Sequence, residues 1–179
     1  MGVVAILAAI TFGVTEGVRD TQSRTKAKAE LAAMAQALER FKTTYGDYPH
    51  VEETSDPANA YSLLKALSGW SELQQDGTMV DLDPQREAFI DTGAMNLPAG
   101  QEMPADAAPG EGIHFVDPWG EPYVYIYNAG ASTWEKFGYV LLSSGPDGLV
   151  ALDGADADGL IDQDWRESGD NLDNVYLED

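Results

Sequence analysis

The first part of the chain has two successive hydrophobic patterns that together predict one long helix over residues 1–48. Residues 1–14 are almost entirely apolar and carry no charged side chain. Residues 15–45 are amphipathic, because large apolar side chains recur at steps of three or four and therefore share one helix face. Those side chains are Leu31, Met34, Leu38, Phe41 and Tyr45. The glycine and the nearby proline that follow, Gly46 and Pro49, are typical of a helix end.

A helix of this length would measure about 65 Å at ~1.5 Å per residue, which is too long for one compact domain of this size. The apolar run is nevertheless shorter than the roughly 20 residues needed to span a bilayer. It also lacks the cationic start and the small-residue cleavage site of a secretory signal peptide. We therefore expect the apolar half to project and to bury its surface against a membrane or against copies of itself.

The pattern changes after the helix. Residues 51–112 are polar and rich in turn formers, and they predict a loop region with one short helix over residues 58–67. Residues 113–142 predict a small sheet, since two runs of period two, at 122–128 and 136–142, are separated by a turn and form an antiparallel hairpin. One long helix, a loop region and a small antiparallel sheet make an α+β fold.

The strongly acidic charge of the chain limits which molecules it can be expected to bind. The chain has 31 acidic and 10 basic residues, a net charge of −21 and no cysteine. Such a surface repels the phosphates of nucleic acid, so we expect no nucleic-acid partner, and the lack of thiols excludes a disulfide framework. Six of the ten basic residues lie between Arg19 and Lys42, whereas the chain from Asp147 to its end has eleven acids and one base. Divalent cations are therefore a natural ligand for the acidic end.

This acidic end, residues 143–179, completes the globular domain 49–179 and predicts a calcium loop. Calcium prefers six to eight oxygen ligands, and the segment supplies carboxylates, hydroxyls and carbonyls densely. Asp156 and Asp158 are separated by one residue and followed by a turn glycine, as in known calcium loops, although the spacing is not that of an EF-hand. Asp162 is a further candidate ligand. Because so many carboxylates repel one another, we expect a bound cation to stabilise the fold.

Three stretches of the sequence occur together in one known family. They are Ile6-Leu-Ala-Ala-Ile10, the helix end from Ala37 to Pro49, and Asp117-Pro-Trp-Gly-Glu-Pro-Tyr-Val-Tyr125 followed by Leu142-Ser-Ser-Gly-Pro-Asp-Gly148. In this order and separation they resemble the major pseudopilin of type II secretion, the general secretion pathway protein G family within the type IV pilin-like proteins. The resemblance covers most of the chain. It implies a pilin fold, in which a long helix packs on a small antiparallel sheet, and a short periplasmic filament that pushes folded proteins outward.

The resemblance also implies site residues and partners. The family holds one calcium in the acidic loop, and its ligands map onto Asp147, Asp156 and Asp158. We expect Ser144 and Asp153 to be further ligands. The apolar helix face would pack against neighbouring helices in a filament core through Val3, Ile6, Leu7, Ile10 and Phe12. The implied partners are other copies in a helical homopolymer, minor pseudopilins and an inner-membrane assembly platform. The protein would be anchored in the inner membrane before assembly and lie in a periplasmic filament afterwards.

The sequence departs from that family near its start. Mature members begin with phenylalanine and carry a glutamate shortly afterwards inside a longer apolar segment, whereas Glu16 lies beyond the apolar run here. By resemblance, Met1 falls partway into that segment, which implies that a leader, a processing site and half of the segment are missing. The proline usually found soon after the Ile-Leu-Ala-Ala-Ile stretch is also absent, and residues 51–112 are longer than is typical.

No arrangement of residues predicts catalysis, so we expect a structural subunit without a small-molecule substrate. His50 and His114 lack metal-binding spacing, and Ser62 with Lys65 matches a Ser-x-x-Lys motif without its companion motifs. Two alternatives to the pseudopilus remain. One is a related pilin-like subunit of an extracellular surface filament. The other is a soluble calcium-binding module or an unrecognised hydrolase, for which the first 14 residues would be dispensable.

Overall fold

The computed structural model describes residues 2–51, 57–128, 133–152 and 158–177, with side chains from residue 19 onward except at 57 and 58. Within these ranges the protein has the predicted α+β fold, in which one long helix is followed by small antiparallel sheets.

The long helix α1 (Gly2–Tyr45) contains 44 residues. It ends where the sequence pattern predicts, because Gly46 has a φ of +95° and its N–H donates to the carbonyl of Lys42 at 2.7 Å. A residue with a Cβ rarely adopts that backbone conformation, so glycine stops the helix at little cost. The predicted amphipathic face is confirmed: Leu31, Met34 and Leu38 are fully buried.

The second helix α2 (Pro57–Leu67) coincides closely with the short helix predicted over residues 58–67. It packs against α1, and its buried side chains Leu63, Leu64 and Leu67 join the same core. A hairpin that the sequence pattern did not predict follows it, with β1 (Ser71–Leu73) antiparallel to β2 (Met79–Asp81). Each strand has three residues, too few for alternation to be recognisable.

The main sheet has the strand order β3–β4–β5, with both pairs antiparallel. The predicted hairpin is confirmed in β3 (Val124–Ile126) and β4 (Val140–Ser143), although both strands are shorter than the predicted runs and β4 begins later. The third strand, β5 (Val175–Tyr176), comes from the acidic end that was predicted to form only a calcium loop. Before β5 the chain forms a short helix, α3 (Gln163–Arg166), and a 3-10 turn (Gly169–Asn171).

Aromatic side chains close the core at the end of α1. Tyr48 lies edge-on to Tyr127 and Tyr139, with ring centroids 5.2 and 4.9 Å apart. The Tyr48 hydroxyl donates to Glu39 at 2.6 Å, and burial together with that carboxylate raises the pKa of Tyr48 well above its usual value. The Tyr125 hydroxyl donates to the carbonyl of Pro49 at 3.0 Å, which holds the segment after α1 against β3.

A single truncation in the α1 stripe should test how far the domain depends on it. We expect Leu38→Ala to lower the free energy of unfolding by about 2–5 kcal/mol, because a fully buried leucine leaves a cavity that the core fills incompletely. Gln36→Ala, at an exposed position on the same helix, is the matched control. Urea unfolding followed by circular dichroism measures both. Equal midpoints for the two variants would contradict a shared core built on this stripe.

Candidate functional site

The Asp117-Pro-Trp-Gly stretch forms a tight turn organised by one buried carboxylate. Asp117 is 1% exposed, and its Oδ1 accepts the backbone N–H groups of Trp119, Gly120 and Glu121, each at 3.0 Å. The Asp117 N–H donates to the Glu121 carbonyl at 2.8 Å and closes the turn. Because a buried carboxylate is costly unless its oxygens are paired, these bonds fix the turn in one conformation.

The same carboxylate connects this turn to the end of β4. The Ser143 hydroxyl, which is fully buried, donates to Asp117 Oδ2 at 2.6 Å and accepts the Gly145 N–H at 3.2 Å. Gly145 has a φ of +72°, and a Cβ there would lie 2.4 Å from the carbonyl oxygen of Asp173. The two stretches that carry the family resemblance after α1 are therefore joined directly through Asp117 and Ser143.

A second buried carboxylate attaches the sheet to α1. Glu30 lies on the helix with 6% exposure, and it accepts the Tyr123 hydroxyl at 2.6 Å and the Asn96 amide at 3.2 Å. Lys26 lies one turn away, with its Nζ 3.6 Å from the same carboxylate. Burial and the neighbouring carboxylate raise the pKa of Tyr123 far above its usual value, so its hydroxyl stays protonated and donates.

Three of the five predicted calcium ligands lie in the described part of the chain. Asp147 is exposed, and its Oδ1 accepts the Leu149 N–H at 2.8 Å. Asp158 Oδ1 accepts the Leu160 N–H at 2.8 Å, while Ser144 is 3% exposed beside the end of β4. The other two predicted ligands, Asp153 and Asp156, lie outside the described residues.

The predicted ligands in the described part of the chain supply oxygen atoms from turns, and oxygen is the ligand atom that calcium prefers. Among the residues that the structure describes, however, no group of three or more His, Asp or Glu side chains is arranged to hold a metal ion. Asp162, the alternative ligand, has another contact: its Oδ1 accepts the Trp165 N–H at 2.7 Å and caps α3. The predicted ligand set therefore stays a prediction.

The acidic loop is fastened at its base by two asparagines that sequence reasoning missed. Asn171 is fully buried; its Oδ1 accepts the Ala151 N–H at 2.9 Å, and its Nδ2 donates to the carbonyls of Ala151 and Trp165. The Asn174 amide is best satisfied with Nδ2 donating to the carbonyls of Ser144 and Leu149, at 3.1 Å each. The sequence signal that could have identified these two residues is the presence of two amides among many carboxylates. An amide can donate hydrogen bonds to carbonyls, whereas a carboxylate is repelled by them.

The chain after the predicted ligands also returns to β4 and to the β3–β4 connection. The Asp173 carboxylate accepts the Asp147 N–H at 3.3 Å, which places a further acid beside a predicted ligand. The Asp158 carbonyl accepts the N–H groups of Glu135 and Lys136 at 2.8 and 3.2 Å. Gly159 has a φ of +75° and packs so closely on the Trp134 ring that a Cβ would lie 2.6 Å from it.

The residues considered for catalysis lie apart from the Asp117–Ser143 contact and from the acidic loop. His50 Nε2 is 3.4 Å from the Asp47 carboxylate, and burial lowers the pKa of His114. Lys65 forms an ion pair with Asp81 on β2. Trp119 is partly buried and packs against the main core. The predicted filament contacts Val3, Ile6, Leu7, Ile10 and Phe12 belong to the part of α1 whose side chains are outside the description.

Comparisons with protein-family models, with curated proteins and with solved structures return no match. Among the described helices, none combines the length and the apolar character that crossing a membrane requires.

The Asp117–Ser143 contact is open to a direct test. We expect Ser143→Ala to lower the free energy of unfolding by about 1–3 kcal/mol, because it removes a donor from a buried carboxylate. A double-mutant cycle with Asp117→Asn should give a coupling energy of about 0.5–3 kcal/mol. Ser62→Ala on α2 is the matched control and should change stability by less than about 0.5 kcal/mol. Strict additivity of Ser143→Ala and Asp117→Asn would contradict the connection.

Proposed function

We propose that this protein is a structural subunit of a pilin-like filament, of the type formed by the major pseudopilin of type II secretion. The observation that carries the proposal is the length of α1 relative to the part that packs on the domain. Its 44 residues measure about 66 Å at ~1.5 Å per residue, whereas among the side chains that the structure describes the buried stripe from Ala27 to Phe41 covers about 21 Å. We infer that the helix is longer than the stretch that packs on the domain, whose described contacts begin near Arg19 and Arg24.

The arrangement of the domain supports the same proposal. A long helix whose carboxyl-terminal half packs on a small antiparallel sheet is the layout that the resemblance implies. The Asp117 turn and the β4 end, whose sequences carry much of the resemblance, are joined by a buried hydrogen bond. Residues that are distant in the chain but characteristic of one family are thus parts of one structural unit.

In this function the work is mechanical. The apolar face with Val3, Ile6, Leu7, Ile10 and Phe12 packs against neighbouring helices, and the domain forms the outer layer of the filament. Assembly at an inner-membrane platform, together with minor pseudopilins, would lengthen the filament and push folded proteins across the outer membrane. Burial of apolar side chains between helices supplies the free energy of association.

Calcium is the proposed ligand of the acidic loop. Asp147, Asp156 and Asp158 would hold it, with Ser144 and Asp153 as further oxygen donors. A bound cation supplies the positive charge that lets these carboxylates lie close together. The Asn171 and Asn174 contacts support this proposal, because they hold both ends of the loop while the Asp147 side chain stays exposed.

A surface filament is the second candidate. The observation that favours it is the structured insertion formed by α2 and the β1–β2 hairpin, which enlarges the domain beyond what the pseudopilin resemblance implies. An enlarged outer layer suits a filament exposed outside the cell. Filament length and cellular location distinguish this candidate from a short periplasmic filament.

Electron microscopy of the chain, carrying a full-length apolar segment ahead of residue 2, tests the filament function. We expect filaments with a helical core, and we expect Ile6→Asp or Ile10→Asp to abolish them because a charge enters an apolar interface. The domain should stay folded in both variants, as judged by circular dichroism. Val80→Asp, at a 40% exposed position on β2, is the matched control and should polymerise. A persistent monomer, or normal filaments from Ile6→Asp, would rule the proposal out.

Thermal unfolding with calcium or with a chelator tests the cation site. We expect calcium at a hundred times its Kd to stabilise the domain by about 2.7 kcal/mol. Asp147→Asn and Asp158→Asn should remove most of that gain and change little in chelator, since asparagine keeps the acceptor for the backbone N–H. Asp164→Asn, an exposed acid on α3, should retain the full gain. An unchanged melting temperature on chelation of the parent protein would count against calcium.

A further inference from the structure

An open groove of about 690 Å³ lies between α1 and the Asp117 turn. Its walls combine apolar and cationic side chains: Leu97, Pro98, Pro118 and Trp119 from the domain, with Arg19 and Lys26 from α1. Trp119 is partly buried and rests on the main core, so the position of the groove wall is fixed by the fold. The groove therefore suits a ligand that places an apolar side chain against these walls and a negatively charged side chain near the two cations.

Of the two cations, Arg19 is the one available to a partner. Lys26 already donates to Asn96 Oδ1 at 2.9 Å and lies near Glu30. Arg19 is exposed, and among the side chains that the structure describes it has no hydrogen bond or ion pair. An exposed cation beside an apolar groove is uncommon in a chain of net charge −21 and makes the groove complementary to an acidic segment.

The same chain presents a segment of the matching chemistry. Leu172 is 71% exposed, and the exposed acids Glu167 and Asp170 precede it. The adjacent Asn171 is fully buried and makes several hydrogen bonds, so the backbone that carries Leu172 is held rigidly. We name this segment, residues 167–172, the acidic knob.

The groove and the acidic knob lie on opposite sides of the stripe of α1 that faces the core. At ~100° per residue, the groove residues Arg19, Gln22 and Lys26 have a mean direction about 165° from that of Arg24 around the helix axis. Arg24 in turn donates to the carbonyl of Asp173, next to Leu172, at 3.1 Å. One molecule therefore cannot insert its own knob into its own groove, whereas two copies side by side can join knob to groove.

We propose that the groove is the docking site for the acidic knob of a second copy of this chain, with Leu172 against Trp119 and Asp170 near Arg19. Such a contact joins two different surfaces. A pair of copies therefore still has one free groove and one free acidic knob, so further copies can add without closing a ring. Its role in a filament rests on the proposed function, but the contact itself does not depend on the apolar part of α1.

Cysteine cross-linking tests the contact directly, because the chain contains no cysteine of its own. Gln22 lines the groove and is exposed, so Gln22→Cys protein is mixed with Leu172→Cys protein under mild oxidation. We expect a disulfide-linked dimer to form about tenfold faster than from Gln22→Cys mixed with Val80→Cys, because docking raises the effective concentration of the two thiols. Each single variant alone controls for random collision. Equal rates for the two mixtures would overturn the proposal.

A charge exchange tests the chemistry of the contact. Arg19→Glu and Asp170→Arg should each weaken self-association in sedimentation velocity at low salt by about tenfold, because like charges then meet. The double variant Arg19→Glu with Asp170→Arg should restore it. Both substitutions are at exposed positions, so folding is preserved. Parent-like association of both single variants would refute the pairing.

The two proposals fail separately. Filaments without the Gln22–Leu172 cross-link would leave the filament function in place and overturn the docking site. The cross-link without filaments, even from chain with a full apolar segment, would keep the docking site and overturn the filament function. An acidic peptide from another protein that occupies the groove while this chain stays monomeric would also overturn docking between copies.

Discussion

Burial of one stripe of α1 is the constraint on which the rest of the domain depends. The stripe contacts α2 and strands β4 and β5, and its large side chains are fully buried. At roughly 1.5–3 kcal/mol for each buried large apolar side chain, the few positions from Leu31 to Phe41 contribute stabilisation comparable with the net stability of a small domain. Glu30 is the one carboxylate within this stripe, and its bond to Tyr123 fixes how the sheet lies along the helix. The domain therefore has one orientation relative to α1. The proposed filament subunit requires this, because it would act through both the helix and the domain.

The acidic end of the chain is less independent than its composition indicates. It joins the sheet at both ends, because it begins at Ser143, the last residue of β4, and contains β5. Asp117 holds the Ser143 end of β4, while Asn171 and Asn174 connect the returning chain to Ala151 and to the segment beside Ser144. These contacts confine the repulsion between carboxylates to a loop that is anchored at both ends. A cation bound there would act on the loop, and through Ser143 on the Asp117 turn.

The sequence predicted the elements that have a long period or a strong stop signal. The α1 stripe repeats over several turns, Gly46 adopts the positive φ that ends a helix, and the β3–β4 hairpin alternates over enough residues to be recognised. The β1–β2 hairpin and β5 were missed, because strands of two or three residues have no measurable period and form through tertiary contacts. Asn171 was missed for a related reason: its role depends on carbonyls 6 and 20 residues away, which only the fold brings together. Asp117 was recognised as part of a motif, but its bond to Ser143 could not be deduced from spacing.

Charge poses a problem that any assembly of this chain must solve. Copies with a net charge of −21 repel one another, yet screening at physiological salt limits that repulsion to roughly 8 Å, so close contacts decide whether copies associate. The basic residues are concentrated on α1 and the acidic ones at the end of the chain, so a contact that joins these two regions replaces repulsion by attraction at the distance where it matters. The proposed cation in the acidic loop would act in the same direction, because it would lower the negative charge that a neighbour meets. The segregation of charge along the sequence is what the proposed contact between copies requires, whereas solubility would be served equally well by an even distribution.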